Sequence, residues 1–178
     1  MEIPLPHAVI RSYRPGDAAA LAHHADNRKI WLNLRDRFPH PYTLADAVDF
    51  IEKATHATPE TMFAICVGGE AAGGIGYTLH SHEQRLTAEL GYWLGERFWG
   101  RGIMSEAVEA LTSYAMKAHG LVRIYAMPYA TNTSSARVLE KAGYVFEGRL
   151  RKNVIKDGRI LDQLVYAKLA DAAGDPPQ

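Results

Sequence analysis

Apolar residues recur along the chain in two rhythms, and the rhythms divide it into helices and strands. The longest helical stretch runs from Ile103, with Ala107, Val108, Leu111, Ala115 and Ala118 at spacings that share one face. Glu106 and Glu109 stand early in it and Lys117 and His119 late, as the helix dipole prefers, and Gly120 supplies the stop. A second amphipathic helix starts at Thr43, read as an N-cap with Asp46 three residues on, and places Leu44, Ala47, Val48, Ile51 and Ala54 on one face. Shorter helices are predicted over 18–26, capped by Asp17, over 30–35, and from Ser134 or Ser135 to Ala142, ended by Gly143.

Strand patterns fall at 8–13, 62–67, 72–79, 87–94, 121–127, 144–155 and 160–169. Gly68-Gly69-Glu70 and Lys156-Asp157-Gly158-Arg159 read as hairpin turns, and Gly91 inside 87–94 as a bulge signal. The mixed order predicts an α/β (α+β) fold built on one sheet. No repeat or linker divides the chain, so one domain is expected over 1–170, followed by a flexible tail at 171–178.

Composition then narrows the function classes. With 20 basic and 20 acidic residues the formal net charge is zero, which gives no support to a general nucleic-acid surface. No apolar run approaches the roughly 18 residues of a membrane span, and Met-Glu-Ile-Pro does not read as a signal peptide. Cys66 is the only cysteine, which points to a reducing compartment, and its apolar setting makes it a core residue rather than a nucleophile. A cytoplasmic location is the expectation.

The chemistry concentrates where strand 87–94 runs into the long helix. Gly95, Gly100 and Gly102 loosen that connection, the helix start leaves N–H groups free, and Arg97 and Arg101 add charge. This reads as an anion site for a phosphorylated ligand, with an ordinary strand-to-helix connection as the plain alternative. A dinucleotide fingerprint fails because Ser105 stands where its third glycine belongs, and no Gly-Lys-Ser/Thr of a P-loop occurs.

Arg97-Phe98-Trp99-Gly100-Arg101-Gly102 resembles the Arg/Gln-x-x-Gly-x-Gly/Ala signature of the GNAT N-acetyltransferases. Asn132, Ser135 and the run Val138-Leu139-Glu140-Lys141-Ala142-Gly143-Tyr144 resemble the second motif of their ribosomal-protein N-terminal acetyltransferase branch, as do Glu147-Gly148-Arg149 and Asp157-Gly158 through Asp162. The resemblance implies a mixed, mostly antiparallel seven-stranded sheet, splayed between its fourth and fifth strands, 87–94 and 121–127. It implies acetyl-CoA as co-substrate and no metal.

On this resemblance Arg97, Gly100, Arg101, Gly102, Ile103 and Met104 would hold the pyrophosphate, and Asn132 the pantetheine arm. The strand edge Tyr92, Trp93 and Leu94 would bind pantetheine through backbone groups freed by the bulge. Glu89 is the candidate general base, with a plain ion pair to an arginine as its alternative. Ser135 is the candidate proton donor to the leaving thiolate, with helix capping as its alternative. One departure is clear: where many branches carry a tyrosine acid, this chain has Leu139.

The remaining candidates are plainer. His80 and His82 lack a third metal ligand at a recognisable spacing, His23-His24 reads as a solvated helix face, and Tyr144 as core. Trp31, Phe38 and Tyr42 surround the Pro39–Pro41 turn, where the family places part of its acceptor groove. The implied activity is acetyl transfer to a primary amine, foremost a protein N-terminal α-amine, by direct transfer. Alternatives are a small-molecule amine acceptor (polyamine, amino sugar or antibiotic) and a non-catalytic acyl-CoA sensor. A homodimer is in keeping with the family.

Overall fold

The computed structural model describes residues 1–170; the expected tail at 171–178 lies outside the described residues. Eight strands form one sheet among them: β1 (Glu2–Pro4), β2 (Val9–Arg11), β3 (Met62–Val67), β4 (Glu70–Leu79), β5 (Thr87–Leu94), β6 (Arg123–Ala126), β7 (Val145–Lys156) and β8 (Arg159–Leu169). The spatial order is β1-β2-β3-β4-β5-β6-β8-β7, and every neighbouring pair is antiparallel except β5 and β6. The eighth strand is β1, whose three residues carry too short a pattern to be legible, and which pairs Ile3 with Ile10 of β2.

Five helices flank the sheet: α1 (Ala18–Ala25), α2 (Arg28–Trp31), α3 (Leu44–His56), α4 (Ile103–His119) and α5 (Thr133–Lys141). Ile103, Ala107, Val108, Leu111 and Ala115 of α4 join Ile65, Ile75, Tyr77, Leu90 and Leu139 in the larger core. A smaller core joins Leu21 and Ala25 of α1 and Ala47, Ile51 and Ala54 of α3 to Ala64, Cys66 and Ala71. Burying each large aliphatic side chain contributes about 1.5–3 kcal/mol. Cys66 is free and buried, and burial pushes its thiol upward.

The local signals held at several ends. Thr43 Oγ1 accepts from Asp46 N–H at 3.2 Å while Asp46 accepts from Thr43 N–H at 2.8 Å, the reciprocal cap expected there. Gly68-Gly69 and Asp157-Gly158 form the two hairpin turns, each with two positive φ values, as twist-matched two-residue loops need.

Four expectations need correction. Gly91 is no bulge, since it pairs in register with Gly76; register shifts lie instead at Ile65/Cys66 in β3 and at Phe146/Gly148 and Leu150/Val154 in β7. Asp17 does not cap α1 with its side chain, because both its oxygens accept from Arg11 at 2.7 Å in a buried pair. The helix expected over 30–35 is instead α2, one turn capped by Asn27, which accepts from Lys29 N–H at 2.8 Å. His24 is buried rather than solvated, and its Nε2 lies 2.7 Å from Glu70 Oε1. Among the described residues no helix is long and apolar enough to cross a membrane.

Candidate active site

The central feature is a wedge in the sheet. Parallel β5 and β6 pair only at Thr87↔Arg123, Ala88↔Ile124 and Glu89↔Tyr125, and β5 then continues to Leu94 without a partner on that side. The cause lies just past β6. Leu164 N–H donates to Pro128 O at 2.9 Å, Ala130 N–H to Asp162 O at 2.9 Å, and Gln163 Nε2 to Met127 O at 3.1 Å. Three bonds to β8 draw the chain away from β5, so the expected splay is present, now between the fifth and sixth strands. The edge from Leu90 to Leu94 owes its free side to this divergence and not to a bulge.

Beyond Leu94 a single helical turn, Glu96–Phe98, leads to Gly100 and Gly102, whose φ values of +75° and +81° suit glycine. Phe98 is buried, and the exposed Arg97 and Arg101 place their guanidinium groups 4.6 and 5.7 Å from its ring centroid, Arg97 also lying 3.8 Å from Glu70 Oε2. Trp99 Nε1 donates to Leu94 O at 2.6 Å, tying the turn to the strand end. α4 starts at Ile103 with Gly102 as its cap residue and no side-chain cap, so its first N–H groups face outward. A cationic turn at a 17-residue helix N-terminus can hold a pyrophosphate.

Side chains alternate along β5. Ala88, Leu90, Tyr92 and Leu94 face the core under α4, while Glu89, Gly91 and Trp93 face the opposite side. On the α4 side the Tyr92 hydroxyl lies 2.8 Å from Ser135 Oγ and 3.3 Å from Ser135 O. Burial drives the Tyr92 phenol well above its ordinary range, so it remains a neutral donor. Asn132 Oδ1 accepts from Ser135 N–H at 3.1 Å and caps α5, which leaves the amide NH₂ to donate elsewhere. Leu139 and Tyr144 are core residues; burial pushes the Tyr144 hydroxyl up to about 12, and it pairs with Thr112 Oγ1 at 2.7 Å.

On the other face Glu89 forms an ion pair with Arg35. Trp93 packs edge-on against Phe38, which lies 4.8 Å from Tyr42 between ring centroids, so two of the three aromatic candidates form one cluster. Trp31 stands apart. It stacks on His40, and Lys156 Nζ lies 3.7 Å above its ring and 2.8 Å from Asp36. Arg35 and Asp36 also line a cavity of roughly 370 Å³ with Tyr129, Val154, Ile155 and Gln163. His80 stacks on Tyr125 and meets its hydroxyl at 2.9 Å; among the described residues no three His, Cys, Asp or Glu side chains converge as metal ligands.

Arg35, Lys156 and the Tyr92 hydroxyl escaped sequence reading. Arg35 meets Glu89 across 54 positions and Lys156 meets Asp36 across 120, and no local pattern marks contacts at such range. Tyr92 was expected to act through its backbone only. The turn is also tied to the first helices: Glu96 accepts from Asn27 at 2.8 Å and pairs with Lys29, and these bonds hold its carboxyl below the usual range.

Residues 7–145 match the model of the acetyltransferase (GNAT) domain. The chain belongs to this family. It is 36% identical over 98 residues to the uncharacterized N-acetyltransferase YoaA of Bacillus subtilis, covering 55% of each chain. It is 31% identical over 111 residues to the ribosomal-protein-serine acetyltransferase of Escherichia coli, covering 62% of each. These matches span little more than half the length of the curated relatives. The structure superposes on Mycobacterium smegmatis RimJ, solved in complex with CoA-disulfide, with a TM-score of 0.81 and 26% identity over 92% of this chain and 82% of that one.

Proposed function

We propose that the protein is an acetyl-CoA-dependent N-acetyltransferase acting on a primary amine, foremost the α-amine of a protein N-terminus such as that of a ribosomal protein. The observation that carries this reading is the wedge between β5 and β6, which opens beside the Gly100–Gly102 turn with Ser135 on one side of β5 and Glu89 on the other. A thioester reaching from the turn into the wedge would meet unpaired β5 backbone groups at its carbonyl.

In this reading Arg97, Arg101 and the first N–H groups of α4, from Ile103 and Met104, hold the diphosphate, and the Asn132 amide and the edge from Tyr92 through Trp93 to Leu94 hold the arm. The amine attacks from the Glu89 face and gives up its proton to Glu89, directly or through a water. Its nitrogen bonds to the acyl carbon as the C–S bond breaks, and Ser135, supported by Tyr92, donates a proton to the departing sulfur. The proton taken by Glu89 is released to solvent, from which Ser135 regains one. A thiol with a pKa of about 8.5 needs only this modest help. Buried Cys66, with its thiol pushed upward, supports direct transfer over an acetyl-enzyme, and its free state fits a cytoplasmic setting.

Charge favours a peptide acceptor. Residues 28–37 carry four basic side chains against Asp36 alone, and residues 148–156 carry four and no acidic ones. Lys156–Asp36 and Arg28–Asp157 bring these segments together around the cavity. Five of these eight cations are ion-paired, and the remaining Arg37, Arg151 and Lys152 weigh mildly against a polyamine or aminoglycoside. The cavity itself, in the size range of small-molecule sites, keeps a compact amine as the second reading.

The test is thiol release from acetyl-CoA with an alanine-starting ribosomal-protein peptide, its N-terminally blocked twin and a panel of small amines. Release with the free peptide alone is expected. Release only with small amines would move the acceptor class, and silence with acetyl-CoA still bound would make the protein a sensor.

A further inference from the structure

Gly91 occupies the middle of a central strand, yet it is exposed, and a Cβ built on it would meet no atom within 4 Å. Both facts are unusual for this position. Strand interiors disfavour glycine, which loses more backbone entropy on folding and packs nothing, and β-branched residues do better there. Its φ lies outside the left-handed region and its register with Gly76 is regular, so the backbone does not require glycine either. Neither turn geometry nor close packing accounts for the missing side chain.

Its surroundings give it a use. Glu89 and Trp93 flank it on the same face of β5, the first paired with Arg35 and the second packed against Phe38. Across the register pair, the Met62 thioether fills the place where a Gly76 side chain would stand, so only the Gly91 half is open. The result is a hollow with a glycine floor, apolar side chains at one end and a carboxylate at the other. The layer of α1 and α3 covers the neighbouring strands and stops short of it. Strand glycines with open space above them are places where a ligand comes close.

We infer that Gly91 is a specificity-determining residue: the hollow above it seats the carbon substituent beside the acceptor's amine, so that the nitrogen rests at Glu89. The inference rests on the acetyl-transfer reading. The seat narrows with each carbon placed at position 91. Tyr92 and the glycine turn lie on the other face or beyond the strand end, so the acetyl-CoA side is untouched.

The experiment compares wild type with Gly91→Ala and Gly91→Val, measuring acceptor KM, kcat, the acetyl-CoA dissociation constant and Tm. The acceptor is the best wild-type amine from the thiol-release panel. Gly91→Val is expected to raise acceptor KM about tenfold or more, the scale of a misfitted methylene or two, with Gly91→Ala between. Acetyl-CoA affinity should hold, and Tm should equal or exceed wild type because strand propensity improves. Wild-type acceptor kinetics in Gly91→Val would overturn the seat while leaving the acetyltransferase reading intact, as would a matching loss of acetyl-CoA affinity. A fall in Tm in both variants would make the glycine structural and overturn it too. No thiol release by wild type with any amine would remove the parent reading, and the seat with it.

Discussion

The Tyr92 hydroxyl lies 2.8 Å from Ser135 Oγ, on the opposite face of β5 from the Glu89–Arg35 ion pair. One strand thus separates two kinds of polar group: a pair of hydroxyls on the α4 side and an ion-paired carboxylate on the other. Alternation along a β-strand makes that separation automatic for residues an odd number apart.

Removing one end of the hydroxyl chain tests it. Ser135→Ala is expected to lower kcat about 100-fold and Tyr92→Phe about tenfold, with acetyl-CoA KM unchanged. The double variant should be no slower than Ser135→Ala, since Tyr92 acts through Ser135. Steady-state thiol release reads all three, and full additivity would show that the hydroxyls act independently.

Glu89→Gln keeps the shape of the side chain and removes the carboxylate proposed as the base. A loss of about 100-fold in kcat/KM is expected at pH 7, shrinking as pH rises past the acceptor α-amine's pKa of about 8, where the amine arrives already neutral. A pH–rate profile of both proteins checks this, and a loss independent of pH would assign Glu89 a structural role.

The turn is probed at Gly100, whose φ of +75° puts an alanine under strain although space is open around it. Gly100→Ala costs about 1–2 kcal/mol in the turn conformation. Acetyl-CoA affinity measured by titration calorimetry should weaken about tenfold, while acceptor KM at saturating acetyl-CoA stays near wild type.

Stability should report the buried Arg11–Asp17 pair. Burial raises the Asp17 carboxyl, but bonds from Arg11 and from Arg14 N–H outweigh it and leave it below its ordinary value. A carboxylate lowered on folding adds stability above its unfolded pKa, near 3.9, and loses it as pH falls through the folded value. Asp17→Asn is therefore expected to destabilise by about 3 kcal/mol at pH 7, because Arg11 is left buried and unpaired. The difference from wild type should narrow below pH 4 in denaturant titrations.

Much of this architecture was legible because its signals are local. The face of α4, the Thr43 cap, the Gly68-Gly69 and Asp157-Gly158 turns and the Gly100–Gly102 loop each depend on residues within a few positions of one another, where periodicity and backbone preference act directly. The glycine-turn motif and the Asn132–Ser135 pair also carried the family resemblance. Some local readings failed where another partner competed: Asp17 left the α1 cap for Arg11, six positions back on the preceding strand, and His24 left solvent for Glu70, 46 positions away.

What the sequence determined by itself was most of the elements, the single sheet and the candidate turn, since these follow from spacing along the chain. The tertiary structure decided where the wedge opens, which face of β5 each side chain takes, and that Arg35 meets Glu89 and Tyr92 meets Ser135. It also showed Gly91 to be an exposed, regularly paired strand position rather than a bulge. Those outcomes depend on how strands some 36 to 57 residues apart share hydrogen bonds, as when β8 draws the chain after β6 away from β5. The free energy of such contacts is set only when the whole sheet closes, and no short window of the chain encodes it.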